Sequence, residues 1–336
     1  MLRLIISALV KYWPITVLTL VSWSQGWGPF LGAIVGAVIW VVFCRRIPIR
    51  AATPTASAAA DTSAIESFTA DVADRSVPTR GVPEILADLH ALTGLAEAKR
   101  TIAEILASVQ ASRAREAHGL SPIIQSLHCT FEGPPGTGKT TVARLLGELF
   151  NAAGVFPGRP VFIEATKSDL VAGYVGQTAP KVRAVCASAA GGVLFVDEAY
   201  GLMPSGQGHD FSGEAITELL TQMENGRRQF CVVLAGYSRE IDALIRSNPG
   251  LESRVSFRVF FTDYSPDELV QIAEREMTTR QYRYSPEVLT AIRAQISRHG
   301  GKLPGNARDI RQMIEQAIRR AAMAGRATDL HPQDFS

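Results

Sequence analysis

Two almost wholly apolar runs open the chain, residues 4–22 and 28–44, with the polar step WSQGWG between them. Neither run alternates like a strand, and each approaches the ~20 residues that cross a bilayer as a helix. Residues 1–46 therefore predict a transmembrane hairpin, with Trp23 and Trp27 at the interface on the turn side. Arg3 precedes the first run, while Arg45, Arg46 and Arg50 follow the second. The positive-inside rule then puts both ends on the cytoplasmic side. Lys11 and Pro14 interrupt the first run; Lys11 either snorkels toward its end or faces the neighbouring helix. Gly32 and Gly36 form a small-xxx-small pair that permits close helix contact. Two other readings stay open: a signal peptide, although no small-residue cleavage site follows, and a single long span preceded by an interfacial helix.

The pattern then dissolves. Residues 51–82 are rich in Ala, Thr and Ser with scattered Pro, and residues 47–84 read as a flexible linker. Near Pro83 the spacing becomes that of a folded domain. HCTFEGPPGTGKTTVARLLGELF, residues 128–150, predicts a buried strand, a glycine-rich turn and an amphipathic helix. GGVLFVDEAY (191–200) is apolar without alternation, as a strand of a parallel sheet buried on both faces should be. FCVVLAGYSRE (230–240) is a further strand. From about Tyr264 the pattern is helical. SPDELVQIAERE offers Ser265 as N-cap, Pro266 at the first helical position and Glu268 to complete a capping box. SPEVLTAIRAQI repeats that start at Ser285, and LPGNARDIRQMIEQAIRR follows. The expected fold is α/β over 85–262, a parallel sheet sandwiched by helices, with a small helical lid over 263–336.

Composition changes this picture little. Lys and Arg number 34 against 32 Asp and Glu, a net charge of +2 with the signs interspersed, so bulk electrostatics demands no nucleic acid. Cys44, Cys129, Cys186 and Cys231 have neither metal-ligand spacing nor a paired framework, and read as small buried hydrophobes. No H-E-x-x-H occurs in the sequence, so a zinc protease of that kind is not expected.

The chemistry enters with the glycine-rich turn. Gly133 to Thr140, GPPGTGKT, matches G-x-x-x-x-G-K-[ST]. Gly136 and Gly138 let backbone N–H groups converge on phosphate oxygens without Cβ clashes. The helix from Lys139 directs its positive N-terminus at the same place. Lys139 would reach the β and γ oxygens, and the Thr140 hydroxyl would ligate magnesium. The cofactor set is thus ATP with Mg2+, bound by Gly133, Pro134, Pro135, Gly136, Thr137, Gly138, Lys139, Thr140 and Thr141. In GGVLFVDEAY the apolar run ends in two carboxylates, where a parallel sheet binds its ligands. Asp197 would sit beside the metal and Glu198 would polarise the attacking water.

These segments resemble the AAA+ ATPases, and among them the CbbX/SpoVK-type group, which includes red-type Rubisco activases, a sporulation ATPase and relatives in type VII secretion. The resemblance runs from about Leu92 to the end. LTGLAEAKRTI, LHCTFEGPPGTGKTT, DLVAGYVGQTAPK, GGVLFVDEAY, VVLAGY and SNPGLESR fall in the group's order. It implies an adenine pocket around Gly94, and an arginine finger at Arg254, with Arg246 as runner-up, acting on a neighbour's γ-phosphate. GNAR resembles sensor 2, which implies that Arg308 reaches the phosphates, with Arg311 the weaker candidate. A basic residue at a helix start opposes the dipole, an independent hint of such a task. At sensor 1 the strand ends Ala235, Gly236, Tyr237 and Ser238, without the usual Asn or Thr; Tyr237 or a backbone group remains.

A finger in trans implies a ring of identical subunits, six in most of the superfamily. In such rings the loop after the second core strand faces the pore. GYVG supplies Tyr174, Val175 and Gly176 there, an apolar grip on a polypeptide client. The loop 202–214 is a weaker second pore loop. The expectation is a membrane-anchored ring ATPase that remodels or threads a protein, lodged in a bacterial inner membrane through residues 4–44 with its ATPase domain in the cytoplasm. The alternative is a nucleotide-switched assembly or scaffold ATPase without threading. No nucleic-acid partner is expected, since the pore loop is apolar and no DNA-binding module is evident. Rubisco activation is not carried over, because the hairpin departs from the soluble activases and no sugar-phosphate sites can be placed.

Overall fold

The computed structural model describes residues 80–121, 126–156, 158, 160–204 and 210–336. The hairpin at 4–44 and most of the linker lie outside the described residues. Among those described, no helix is long and apolar enough to cross a membrane.

Helices α1 (Val82–Ala91) and α2 (Ala96–Ala117) lead in. The first turn of α1 begins inside the stretch read as linker, with Pro83 in that turn. Then come β1 (Cys129–Glu132), α3 (Lys139–Ala152), β2 (Phe162–Ala165), the single turn α4 (Lys167–Leu170), α5 (Thr178–Ser188) and β3 (Val193–Val196). A 3-10 turn (Ala199–Leu202) precedes α6 (Ser212–Asn225), β4 (Cys231–Gly236), α7 (Ser238–Ser247), α8 (Pro249–Arg254) and β5 (Phe257–Phe260).

These strands form one parallel sheet in the order β2-β3-β4-β1-β5. VLFV of β3 and CVVLAG of β4 are buried at every position, which is why they read as unbroken apolar runs. Successive side chains still part to opposite faces. Phe195 joins a core with Ile102, Leu146 and Phe131, while Leu194 and Val196 join another with Val182, Leu219 and Ile241. Cys129, Cys186 and Cys231 are buried free thiols, as expected; Cys44 lies outside the described residues.

The chain ends in α9 (Pro266–Thr279), α10 (Pro286–Arg298) and α11 (Ala307–Met323), with a small parallel pair β6 (Arg283–Tyr284) and β7 (Asp329–Leu330). Leu269, Ile292 and Ile310 continue the first core, so the helical end is packed onto the sheet unit rather than hung from it. Ser265 caps α9 with the expected box: its Oγ accepts from Glu268 N at 3.3 Å and Glu268 Oε2 accepts from Ser265 N at 2.8 Å.

Candidate functional site

A cavity of about 450 Å3 opens where the C-terminal ends of β1, β3 and β4 meet the helical lid. Gly133, Pro135, Gly136, Gly138, Lys139, Thr140 and Thr141 form its floor, Asp197 and Glu198 one wall, and Arg308 and Arg311 the opposite one. Pro134 and Thr137 do not line it. Thr137 is fully buried, and its hydroxyl donates to Pro134 O at 2.9 Å, which braces the turn from behind.

Lys139 heads α3, and its Nζ donates to the carbonyls of Gly133 (2.8 Å) and Pro134 (2.7 Å). Burial pulls the ammonium's pKa below its usual value, the Asp197 carboxylate pulls it up, and Arg308 presses it down. The three charges that the sequence assigned to one site therefore feel one another. Asp197 Oδ1 accepts from Glu198 N at 2.9 Å, and Glu198 holds a left-handed backbone at φ 49°. Backbone strain of that kind costs about 1–3 kcal/mol and persists where the surroundings enforce it.

Leu92, Thr93 and Leu95 line the far end of the cavity with Ile272 and Thr279 of α9. Lys99 pins that segment by donating to Leu92 O and to His90 O at 3.1 Å. Gly94 itself does not line the cavity. A Cβ there would collide with Glu268 and Tyr264, so its part is to let the lid helix close in.

Tyr237 lines the cavity at the end of β4, in the position that lacked a sensor 1 Asn or Thr. It pairs with Tyr200, ring centroids 6.2 Å apart, and Tyr200 lines the cavity too. Burial and then Glu198 raise the Tyr200 phenol's pKa. Sequence reasoning passed over Tyr200, although it stands three residues beyond Asp197 in the same quoted run. It also passed over Tyr264 and Asn306, which touch the phosphate loop from the lid side; the GNAR motif was the available signal for Asn306.

Arg254 is not at this cavity. It ends α8 at the foot of the sheet, where Ser126 Oγ donates to Arg254 O and Ser256 N donates to His128 O. The phosphate loop leaves the head of β1, roughly 16 Å away at ~3.3 Å per residue. The Arg254 guanidinium lies 3.3 Å from Glu224 Oε2 and donates through Nη1 to Gly250 O and Ser253 Oγ. Arg246 is exposed on α7 and pairs with Asp242 at 2.9 Å.

Tyr174, Val175 and Gly176 sit on the loop between α4 and α5, after the edge strand β2. Tyr174 is 67% exposed and Val175 81%. The loop 202–214 lies partly outside the described residues.

Chemically the cavity gathers backbone N–H groups at a helix start, the Lys139 ammonium and the guanidiniums of Arg275, Arg308 and Arg311, together with the carboxylates of Asp197, Glu198 and Glu276. That set suits a polyphosphate with a divalent cation and a positioned water. Thr140 and Asp197 offer the sparse oxygen set that Mg2+, which keeps several waters, accepts.

Comparison with known proteins agrees with this chemistry. Residues 129–263 match the ATPase family associated with various cellular activities (AAA), and residues 265–334 match the AAA lid domain. Stage V sporulation protein K of Bacillus subtilis (strain 168) is 41% identical over 71% of this chain and 75% of its own length. The chloroplastic ribulose bisphosphate carboxylase/oxygenase activase of Cyanidioschyzon merolae is 40% identical over 72% of this chain and 85% of its own. The AAA domain of FIGL-1 in complex with ADP superposes with a TM-score of 0.54 over 81% of this chain and 88% of that one; at 20% identity it speaks for the fold alone. The chain belongs to the AAA family of ATPases, in the group that holds the sporulation protein and the activase, and it hydrolyses ATP.

Proposed function

We propose that this chain is a ring-forming remodelling ATPase that grips a protein client through Tyr174 and Val175. The observation that carries the reading is the exposure of these two apolar side chains, 67% for Tyr174 and 81% for Val175. An exposed Tyr–Val pair costs solubility and returns nothing to the fold, whereas a broad aromatic face can hold many side-chain types. An activase among the relatives, a protein named for acting on another protein, fits the same reading.

Within each subunit the N–H groups of the phosphate loop and Lys139 would hold the phosphates. Glu198 would take a proton from the attacking water and Asp197 would orient the metal's waters. Arg308 would meet the terminal phosphate from the lid. Thr140 and Asp197 would hold Mg2+, whose charge would offset the negative charge that develops on transfer. Arg254, at the foot of the sheet, would serve the next subunit of a six-membered ring. The two apolar runs at 4–22 and 28–44 favour anchoring in a bacterial inner membrane, with this domain on the cytoplasmic side.

The test uses the full chain with Glu198→Gln. It should bind ATP, lose hydrolysis by about 10²–10⁴-fold, assemble into a ring by light scattering, and retain a client identifiable by mass spectrometry. Tyr174→Ala in the same background should release that client while leaving assembly intact. A client that stays bound despite Tyr174→Ala would favour a nucleotide-switched scaffold instead, and a monomer in ATP would remove the ring.

A further inference from the structure

The lid touches the phosphate loop through hydrogen bonds whose arrangement is more specific than packing. Three successive loop carbonyls are each held by a donor from the hinge or lid. Pro135 O accepts from Asn306 Nδ2 at 3.3 Å, Gly136 O from Ala307 N at 3.2 Å, and Thr137 O from Tyr264 Oη–H at 3.0 Å. The peptide group is planar and trans, so a carbonyl and the N–H that follows it point in opposite directions. Holding the carbonyls of 135, 136 and 137 toward these donors therefore turns the N–H groups of Gly136, Thr137 and Gly138 away from them and fixes the peptide planes. Those are the N–H groups that the motif assigns to phosphate.

Asn306 is the centre of this arrangement. It is 1% exposed, and its side chain is fully used: Oδ1 accepts from Tyr264 N at 3.0 Å, and Nδ2 also donates to Asp263 Oδ1 at 2.8 Å. One amide thus ties the hinge at 263–264, the start of α11 and the phosphate loop. It does so from φ 51° and ψ −126°, a conformation that strongly favours glycine. A glycine would relieve the strain but would lose three hydrogen bonds. The approach is close on the other side as well: a Cβ on Gly136 would run into Gly305 O. Burial pushes the Tyr264 phenol up to about 12, so it remains a donor at any working pH.

We propose that Asn306 and Tyr264 form a clasp that sets the peptide planes of the phosphate loop, so that lid position and nucleotide affinity are one equilibrium. Both are positioning residues: Asn306 does not line the cavity, and Tyr264, which does, acts in the clasp through its bond to Thr137 O. Arg308 starts the same helix two residues beyond Asn306, so a lid that swings away withdraws the arginine and releases the loop together. By linkage, a nucleotide that favours the ordered loop must equally favour the docked lid.

The proposal rests on Gly133 to Thr140 being the phosphate site, and the test separates the two claims. ADP affinity is measured by calorimetry on the full chain and on Tyr264→Phe, Asn306→Gly and Lys139→Ala. Tyr264→Phe keeps the ring and removes one donor, and should weaken ADP about fivefold. Asn306→Gly keeps the backbone conformation accessible and should weaken ADP about tenfold or more. Hydrogen exchange gives a readout that a purely structural role would not move. Saturating ADP should protect the amides of 305–310 in the parent chain and fail to do so in Asn306→Gly. ADP affinities within twofold of the parent in both clasp variants, with Lys139→Ala abolishing binding, would overturn the clasp and leave the phosphate site standing. Undiminished binding by Lys139→Ala would overturn the phosphate reading itself.

Discussion

His128 sits at the foot of β1 as an imidazole whose protonation is dictated by its partners. Val232 N donates to Nδ1 at 2.9 Å, and Nε2 lies 2.9 Å from Met223 O, which only an N–H there can satisfy. The neutral Nε2–H ring fits both; a second proton on Nδ1 would face the Val232 N–H. Burial lowers the pKa to about 4, partly offset by the Met223 carbonyl. The unfolded chain therefore binds a proton near pH 6.5 that the folded chain refuses until about pH 4. Stability from this residue is complete above the unfolded value and is lost as pH falls through that window, by roughly 3 kcal/mol in all. Urea unfolding of the parent and of His128→Gln between pH 7 and pH 4 measures the difference. The parent should lose stability faster, and parallel curves would remove His128 as the cause.

At the level of elements, the start of β3 is a close joint in the sheet. Val193 N donates to Val161 O, Gly191 N to Gln229 O, and Cys231 N to Gly192 O, all at 2.8–2.9 Å. Gly192 lies among these strands, and a Cβ on it would strike the Val161 backbone. Backbone cannot turn aside as a side chain can, so Gly192→Ala should cost about 1–3 kcal/mol by overpacking. The reading is a lower urea midpoint at an unchanged m-value; an unaltered midpoint would mean that β2 is free to shift. Elements of this kind were legible in the sequence. VLFV and CVVLAG are buried on both sides, so their composition alone announces them, and the phosphate turn is constrained by its ligand to a short pattern of glycines. The helix start at Ser265 was legible because capping is local. The same letters at Ser285 show the limit. Ser285 takes the N-cap position of α10, but its hydroxyl makes no cap bond and instead holds the Glu287 carboxylate below its usual range. What could not be read were contacts between distant donors and carbonyls, such as Asn306 to Pro135 or Tyr264 to Thr137. No local periodicity encodes which carbonyl meets which donor across more than a hundred residues.

On the scale of the whole molecule, the proposed function divides the chemistry between the head and the foot of one strand. The phosphate loop leaves the head of β1, and Arg254 lies beside its foot, so a single chain cannot bring the arginine to its own cavity. On this reading Arg254→Ala should slow hydrolysis about 10³-fold or more, as loss of an arginine finger does. Lys139→Ala should be inactive by losing the phosphate site. Mixed in equal parts, the two variants should recover about a quarter of the parent activity, because in a head-to-tail ring one contact in four pairs an intact Lys139 with an intact Arg254. Absence of recovery would mean that Arg254 does not act across subunits. The separation of head from foot also fixes how activity must scale. If Arg254 serves a neighbour, a closed ring would hold as many finished sites as chains, an open arc one fewer, and a lone chain none. Dilution would then silence the enzyme while every chain stays folded, and the rate per chain becomes a gauge of how many neighbours it has.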